Sequence, residues 1–449
     1  MGYFPSWTLK RSGIIAPDER LPAGETFAMG IQHVVAMFGS TVLAPILMGF
    51  DPNLCVLMSG LGTLIFFVIT GGKIPSYLGS SFAFIGVVIA ATGYVAGSGA
   101  NANVGVAIGG IMMVGLVYAL VGLIVMMTGV NWIEKLMPPV VTGAVVAVIG
   151  LNLAPTAVRT VGSTTFDGWM AVITFLCVGG VAVYTRGFMQ KLLILVGLIL
   201  SYLIYTVLAN GLGFGKPIDF SIIANADWFA VPTMHSPVFE IDAIMLILPV
   251  VIILVAENLG HVKAVTAMTG RNLDPYMGRA FLGDGIATMF SSFFGGTGVT
   301  TYGENIGVMA ATRVYSTLIF PVAALFAIIL GFSPKFGAVI ATIPQPVLGG
   351  TSIVVFGLIA VAGARVWVVN HVDFGNSRNL MVAAVTLILG GGDFALDLGF
   401  FTLGGIGTAT FGAILLNAIM AVGEKKTANP KSGEPVDFGK EKTETIETK

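Results

Sequence analysis

From about residue 26 to residue 422 the chain is a succession of apolar runs, most of them near the length of a membrane helix, joined by short polar stretches. About 20 apolar residues in a helix cross the hydrocarbon of a bilayer. Only 10% of the residues are Asp, Glu, Lys or Arg, against about 25% in soluble domains. Mean hydropathy is +0.92. These features dictate an all-α polytopic membrane protein. A net charge of −1 and the lack of a basic patch give no footing for nucleic acid. Residues 1–24 are mixed and polar, and the first apolar run is too long for the core of a cleavable signal. Cys55 and Cys177 both lie in apolar segments, so no disulfide framework is expected. Glycine accounts for 60 of 449 residues, nearly twice the usual share of about 7%. Small residues let membrane helices approach closely.

Fourteen spans are expected, at approximately 26–48, 53–72, 76–97, 103–128, 138–155, 167–185, 189–211, 241–262, 278–296, 299–313, 315–333, 345–364, 379–396 and 403–422. With the N-terminus inside, nineteen Lys and Arg residues fall on the cytoplasmic side and only Arg159, Lys216 and Lys335 outside. This is a strong positive-inside signal. Treating the third and tenth segments as re-entrant weakens the split to fifteen against seven. Fourteen crossings are therefore preferred, with both termini cytoplasmic. The polar 213–239 connection divides the spans seven and seven. From Glu424 onward the chain is polar and charge-balanced, which predicts disorder.

The halves carry a repeat. Pro139-Val-Val-Thr-Gly143 through Gly150-Leu151 matches Pro346-Val-Leu-Gly-Gly350 through Gly357-Leu358 without gaps. These are the fifth and twelfth spans. Seven is odd, so repeats of seven spans run in opposite directions, as in many secondary transporters. The third and tenth spans correspond likewise, and both look interrupted. Ser76-Tyr-Leu-Gly-Ser-Ser81 precedes Phe82-Ala-Phe, and Thr297-Gly-Val-Thr-Thr-Tyr302-Gly303 precedes Glu304-Asn305-Ile-Gly. Ser, Thr, Tyr and Gly there favour extended backbone. Lipid offers that backbone no partners, so the two stretches are expected to pair as short strands. Each then delivers a helix N-terminus with free N–H groups.

Candidate site residues follow from charge where lipid disfavours it. A carboxylate at the centre of a membrane helix costs roughly 2.5–3.5 kcal/mol on insertion scales. Glu257 ends a long apolar run, and His261 lies four residues on, on the same helix face. Glu304 opens a half-helix, where the dipole favours its ionised form and burial its neutral form. A carboxyl pulled both ways suits proton coupling. Gln32 and His33, in the first span, are expected to support Glu257 or its neighbours. Asn258 and Asn305 are assigned to freed backbone groups, and Asp284 either to a proton path or to fastening helices. Acids accept N–H or O–H groups, helix ends donate to carbonyl-like acceptors, and Phe82 offers a flat apolar face. A neutral heterocycle alternating N–H and C=O meets all three demands. Charge alone leaves a metal or sodium ion open, but no His/Cys cluster has transition-metal spacing.

At these residues the chain resembles the nucleobase–ascorbate transporter family, also called nucleobase:cation symporter-2. The resemblance rests on Gln32-His33-Val-Val-Ala-Met-Phe-Gly39, Lys73-Ile-Pro-Ser-Tyr-Leu-Gly-Ser-Ser-Phe-Ala-Phe84, Ala256-Glu257-Asn-Leu-Gly-His261 and Thr301-Tyr-Gly-Glu304-Asn-Ile-Gly-Val-Met-Ala-Ala-Thr-Arg313. It runs from about residue 20 to 422. Glu304 in the signature's first slot resembles the uracil-permease branch, whereas the xanthine and urate branches usually carry Gln. The resemblance implies a proton-coupled importer of uracil or a related pyrimidine in the inner membrane, working by an elevator-like cycle, as a homodimer and without a cofactor. It implies a core domain from 26–128 and 241–333 and a gate domain from 129–212 and 334–422. Residues 1–25 then form a cytoplasmic segment, 213–240 an external linker and 423–449 a cytoplasmic tail. Glu257 and Glu304 would hold ring N–H groups, the backbone at Phe82 and Gly303 would meet ring oxygens, and Ser81, Tyr302 and His261 would complete the pocket. Glu304, Glu257 and His261 would carry coupling. Asn258 stands where uracil permeases often have His, which leaves the preferred base open.

Competing readings are a purine permease of the same family, an anion carrier or exchanger on the same fold, and an intramembrane enzyme. The last lacks a convincing nucleophile or metal cluster.

Overall fold

The computed structural model describes residues 2–399 and 402–423. The protein is mostly helical. Among the described residues eight helices are long and apolar enough to cross a membrane, from Ala23–Met48 to Gln345–Val369. A ninth arises if Ile319–Gly331 and Pro334–Ala341, bent by 78°, count as one span. The other expected crossings correspond to shorter elements. Met277–Phe293, Ser377–Gly391 and Gly405–Gly423 are single helices, and the third and tenth segments are each a strand followed by a short helix. The tail expected over 423–449 lies, from residue 424, outside the described residues.

Close helix contact depends on missing side chains. Val104–Thr128 packs on Met277–Phe293 through facing glycines. A Cβ at Gly122 would lie 2.4 Å from the Leu282 nitrogen, and one at Gly285 would lie 2.4 Å from the Ala119 nitrogen. Backbone thus meets backbone, as small-residue membrane interfaces allow. The repeated segments also meet each other. Pro139–Asn152 packs on Gln345–Val369, with Gly143 against Trp367 and Gly150 against the Phe356 carbonyl. The Trp367 indole N–H donates to the Val140 carbonyl at 3.0 Å.

Two short strands cross in the interior. Leu78–Ser80 pairs antiparallel with Val299–Thr301, and all six residues are buried. Buried backbone must find partners. Here the ladder is extended by threonines from neighbouring helices. Thr63 Oγ1 accepts from the Leu78 N–H at 2.9 Å, and Thr288 Oγ1 accepts from the Val299 N–H at 3.2 Å. The Tyr302 N–H donates to the Tyr77 carbonyl, and the Ser81 N–H to the Gly298 carbonyl. Each strand runs into a helix, Phe84–Thr92 after the first and Gly303–Thr312 after the second.

Residues 2–22 form a strap. Thr8–Leu9 pairs parallel with Glu19–Arg20, and Ile15 bridges Val314 just beyond the Gly303–Thr312 helix. The Trp7 indole donates to Thr317 Oγ1 at 2.9 Å, and Arg271 pairs with Asp18 at 2.8 Å. Tyr3, Phe4 and Trp7 cover the end of the Pro52–Ile69 helix around Phe67. A polar leading segment was expected here; its pairing with elements some 300 residues away has no sequence signature.

Candidate functional site

Three elements bring the predicted residues together. The Val250–Thr269 helix carries Glu257 and His261 and ends at Gly270, whose φ of 65° stops it. The Gly303–Thr312 helix begins where the second strand ends, so Glu304 sits in its first turn. This helix closes on Arg313 in the left-handed conformation, φ 57°. The Ala23–Met48 helix brings His33 and Ser40 alongside.

Glu257 and Glu304 are both half-buried and lie within electrostatic reach of each other. They differ in their bonding. The Ser40 hydroxyl donates to Glu304 Oε1. Glu257 makes no side-chain hydrogen bond or ion pair with any described residue. A half-buried acid without a protein partner is what a site for an N–H donor requires. His261 Nδ1 bonds Thr301 Oγ1 at 2.9 Å. Its other nitrogen lies over the backbone of Gly303, 3.4 Å from where a Cβ would stand. His261 is thus tied to the crossing strand and not to Glu257, although the two share a helix face.

Tyr302 is 3% exposed, and its hydroxyl donates to the Ser80 carbonyl at 2.8 Å. Ser81 is buried, and its Oγ accepts the Ala83 N–H at 3.3 Å. Phe82 is half-buried, with its ring 6.4 Å from that of Phe356 at 82°. Gly303 is exposed. The first N–H groups of both short helices have no intrahelical acceptor, so donors converge where the strands end.

A supporting layer lies behind. Asn305 Nδ2 bonds the His33 carbonyl at 3.0 Å and His33 Nδ1 at 2.9 Å, and Phe320 meets the His33 ring at 4.9 Å. His33 therefore serves the Glu304 helix and not Glu257. Gln32 is half-buried and makes no side-chain hydrogen bond among the described residues. Asn258, expected to serve freed backbone, instead donates to Asp284 Oδ2 at 2.7 Å and to the Tyr118 hydroxyl at 3.0 Å. Asp284 is fully buried, and its other oxygen has no hydrogen-bond partner among the described residues. Among the described residues no group of His, Cys, Asp and Glu is arranged to hold a metal ion.

Sequence reasoning missed Ser40, Tyr118 and Thr301. Ser40 had a signal, since it lies seven residues from His33 and so shares its helix face. Tyr118 and Thr301 had none.

Comparison with known proteins adds three findings. A family model described as a permease family, Xan_ur_permease, matches residues 24–399. The chain is 66% identical over 422 residues to the putative pyrimidine permease RutG of Escherichia coli (strain K12), covering 93% of this chain and 95% of that one. It is 43% identical over 428 residues to the uracil permease of Paenibacillus larvae subsp. larvae, covering 92% and 98%. Among solved structures, the fold resembles the transmembrane domain of the cyanobacterial bicarbonate transporter BicA, with TM-score 0.60, 18% identity and coverage of 89% and 97%. It also resembles the murine anion transporter Slc26a9 in its inward-facing state, with TM-score 0.67, 11% identity and coverage of 89% and 68%. At these identities the structural likeness concerns the fold alone.

Proposed function

The chain belongs to the Xan_ur_permease family, the nucleobase–ascorbate transporters, and from that premise we propose that it imports uracil or a closely related pyrimidine base with protons. It is a multi-pass membrane protein of the inner membrane and a nucleobase transporter, not an enzyme. The observation that carries the finer reading is Glu257, half-buried beside Glu304 and without a side-chain partner among the described residues.

A uracil-like ring has two N–H groups and two carbonyls. Glu257 accepts one ring N–H, and the free Oε2 of Glu304 accepts the other. Backbone N–H groups at Phe82 and Gly303 donate to the carbonyls, and the Phe82 ring covers one face. Ser81, Tyr302 and His261 hold the walls. Because the two acids feel each other, a proton on one changes what the other binds. Glu304 carries the coupling proton, with Glu257 and His261 as its neighbours. No cofactor takes part, and the proton gradient drives uptake.

We read the architecture as fourteen crossings in two inverted repeats of seven. Swapped contacts support this. The second segment packs on the eleventh and the fourth on the ninth, the first on the tenth and the third on the eighth. Thr63 on Leu78 and Thr288 on Val299 are equivalent under the same exchange. The core domain, 26–128 with 241–333, moves elevator-like against the gate domain, 129–212 with 334–422, and Phe82 on Phe356 spans their seam. Both termini are cytoplasmic, as the nineteen-to-three distribution of basic residues supports. The active form is a homodimer. An anion carrier is disfavoured, because two unneutralised acids repel an anion.

The test is uptake of labelled uracil into proteoliposomes under an imposed pH gradient, with nucleobases as competitors. Glu257→Gln offers one acceptor and adds donors. Hydrogen bonds to charged groups contribute about 1.5–3 kcal/mol, so uracil affinity should fall roughly 10- to 100-fold. Unchanged affinity refutes the assignment, and stronger competition by xanthine than by unlabelled uracil would favour the purine reading.

A further inference from the structure

Serine and threonine hydroxyls in membrane helices usually bond the carbonyl four residues back. In this protein Thr63, Thr92, Thr174, Ser201, Thr351 and Thr410 all do so. Ser40 does not. It is 1% exposed, in the middle of the Ala23–Met48 helix, and its hydroxyl donates to Glu304 Oε1 across 264 residues of sequence. That donor is the one side-chain hydrogen bond that Glu304 makes with a described residue.

We propose that Ser40 is the positioning residue of Glu304, holding Oε1 so that Oε2 faces the base, and that it sets the pH at which Glu304 exchanges its proton. The inference rests on the proton-coupling role given to Glu304 above. Among the described residues the other ionisable groups around Glu304 are few. Glu257 and His261 face it from the Val250–Thr269 helix, and Tyr302 from the end of the strand. His33 reaches it only through Asn305, and Asp284 lies behind, bonded to Asn258. Leu192 and Val196, both apolar, cluster with Val308 of the same half-helix. None of the others donates a hydrogen bond to the carboxylate.

A donor bonded to a carboxylate favours its charged form. Removing it lets the carboxyl keep its proton to higher pH. Initial rates of uracil uptake into proteoliposomes are measured across external pH for the unmodified protein, Ser40→Ala, Ser40→Thr, Ser40→Cys and Glu304→Gln. The expected half-maximal pH moves up by about one unit in Ser40→Ala, by less in Ser40→Cys, whose thiol is a weak donor, and returns in Ser40→Thr. Overlay of the Ser40→Ala or Ser40→Cys profile on the unmodified one overturns the proposal, and the cysteine variant serves if the alanine variant does not fold. Glu304→Gln separates the two claims. A flat profile there with unmoved Ser40 variants removes the Ser40 role alone, whereas retained pH dependence removes the coupling role and Ser40's with it.

Discussion

A methyl group at Gly79 has no room. Gly79 is the middle residue of the first crossing strand, opposite Thr300. A Cβ there would lie 2.4 Å from Cε2 and Cζ of Tyr302 and 2.6 Å from Thr41 Oγ1. Carbon atoms settle at about 3.5–4.0 Å, so the tyrosine ring must retreat by roughly 1 Å. Its hydroxyl then leaves the Ser80 carbonyl, now 2.8 Å away and buried. Overpacking costs about 1–3 kcal/mol, and a buried polar group without a partner about 1–3 kcal/mol more. Near 3 kcal/mol, the equilibrium between the native crossing and its opened alternatives shifts about 100-fold toward opening. Apparent uracil affinity falls in proportion to the competent fraction that is lost, by at most that factor. Scintillation proximity binding on the purified protein measures this. Gly179→Ala is the matched control, since its Cβ meets nothing within 4 Å, and it should be neutral or stabilising by about 0.5–1 kcal/mol. Unmodified affinity and melting in Gly79→Ala would falsify the claim that this crossing builds the site.

Asn258→Leu removes the donor to Asp284 and Tyr118 and leaves a buried carboxyl without its amide. Stability should fall by about 2–4 kcal/mol, and an unchanged melt in detergent rules out a fastening role for this trio. Glu19 tests the strap. The Ala16 N–H and then Lys10 hold its carboxyl below the ordinary range. A lowered folded value means that the contribution is present above the unfolded value and lost as pH falls through the folded one. Hydrogen exchange over residues 8–20 should therefore accelerate as pH drops below about 4, once corrected for intrinsic rates, and Glu19→Gln should exchange fast throughout. Exchange in Glu19→Gln that matches the unmodified protein refutes this.

The parts of the fold set by local chemistry were legible. Apolar length marked the helices, and Ser, Thr and Gly clusters marked the two segments that become strands, because those residue types favour extended backbone and turns over helix. Glu257 and Glu304 stood out because lipid penalises them. Partner choice was not legible. His261 could have turned to Glu257 four residues away, yet it bonds Thr301, since the crossing strand fills that side of the helix. Asn258 joins Asp284 and Tyr118 from two other helices, and the leading segment pairs with residues near 314. Such meetings depend on which surfaces face each other once the chain has packed, and periodicity along one segment carries no record of that.

The crossing strands also constrain how the molecule is made. Leu78–Ser80 cannot complete its ladder until Val299–Thr301 has been synthesised. At about 5–20 residues per second, the ribosome takes roughly 10–40 s to supply the missing edge. For that interval the nascent chain holds an open polar edge at the insertion machinery or within lipid, shielded by Thr63 at one position. The buried ladder therefore ties the two halves together, and it closes only after Val299–Thr301 has left the ribosome.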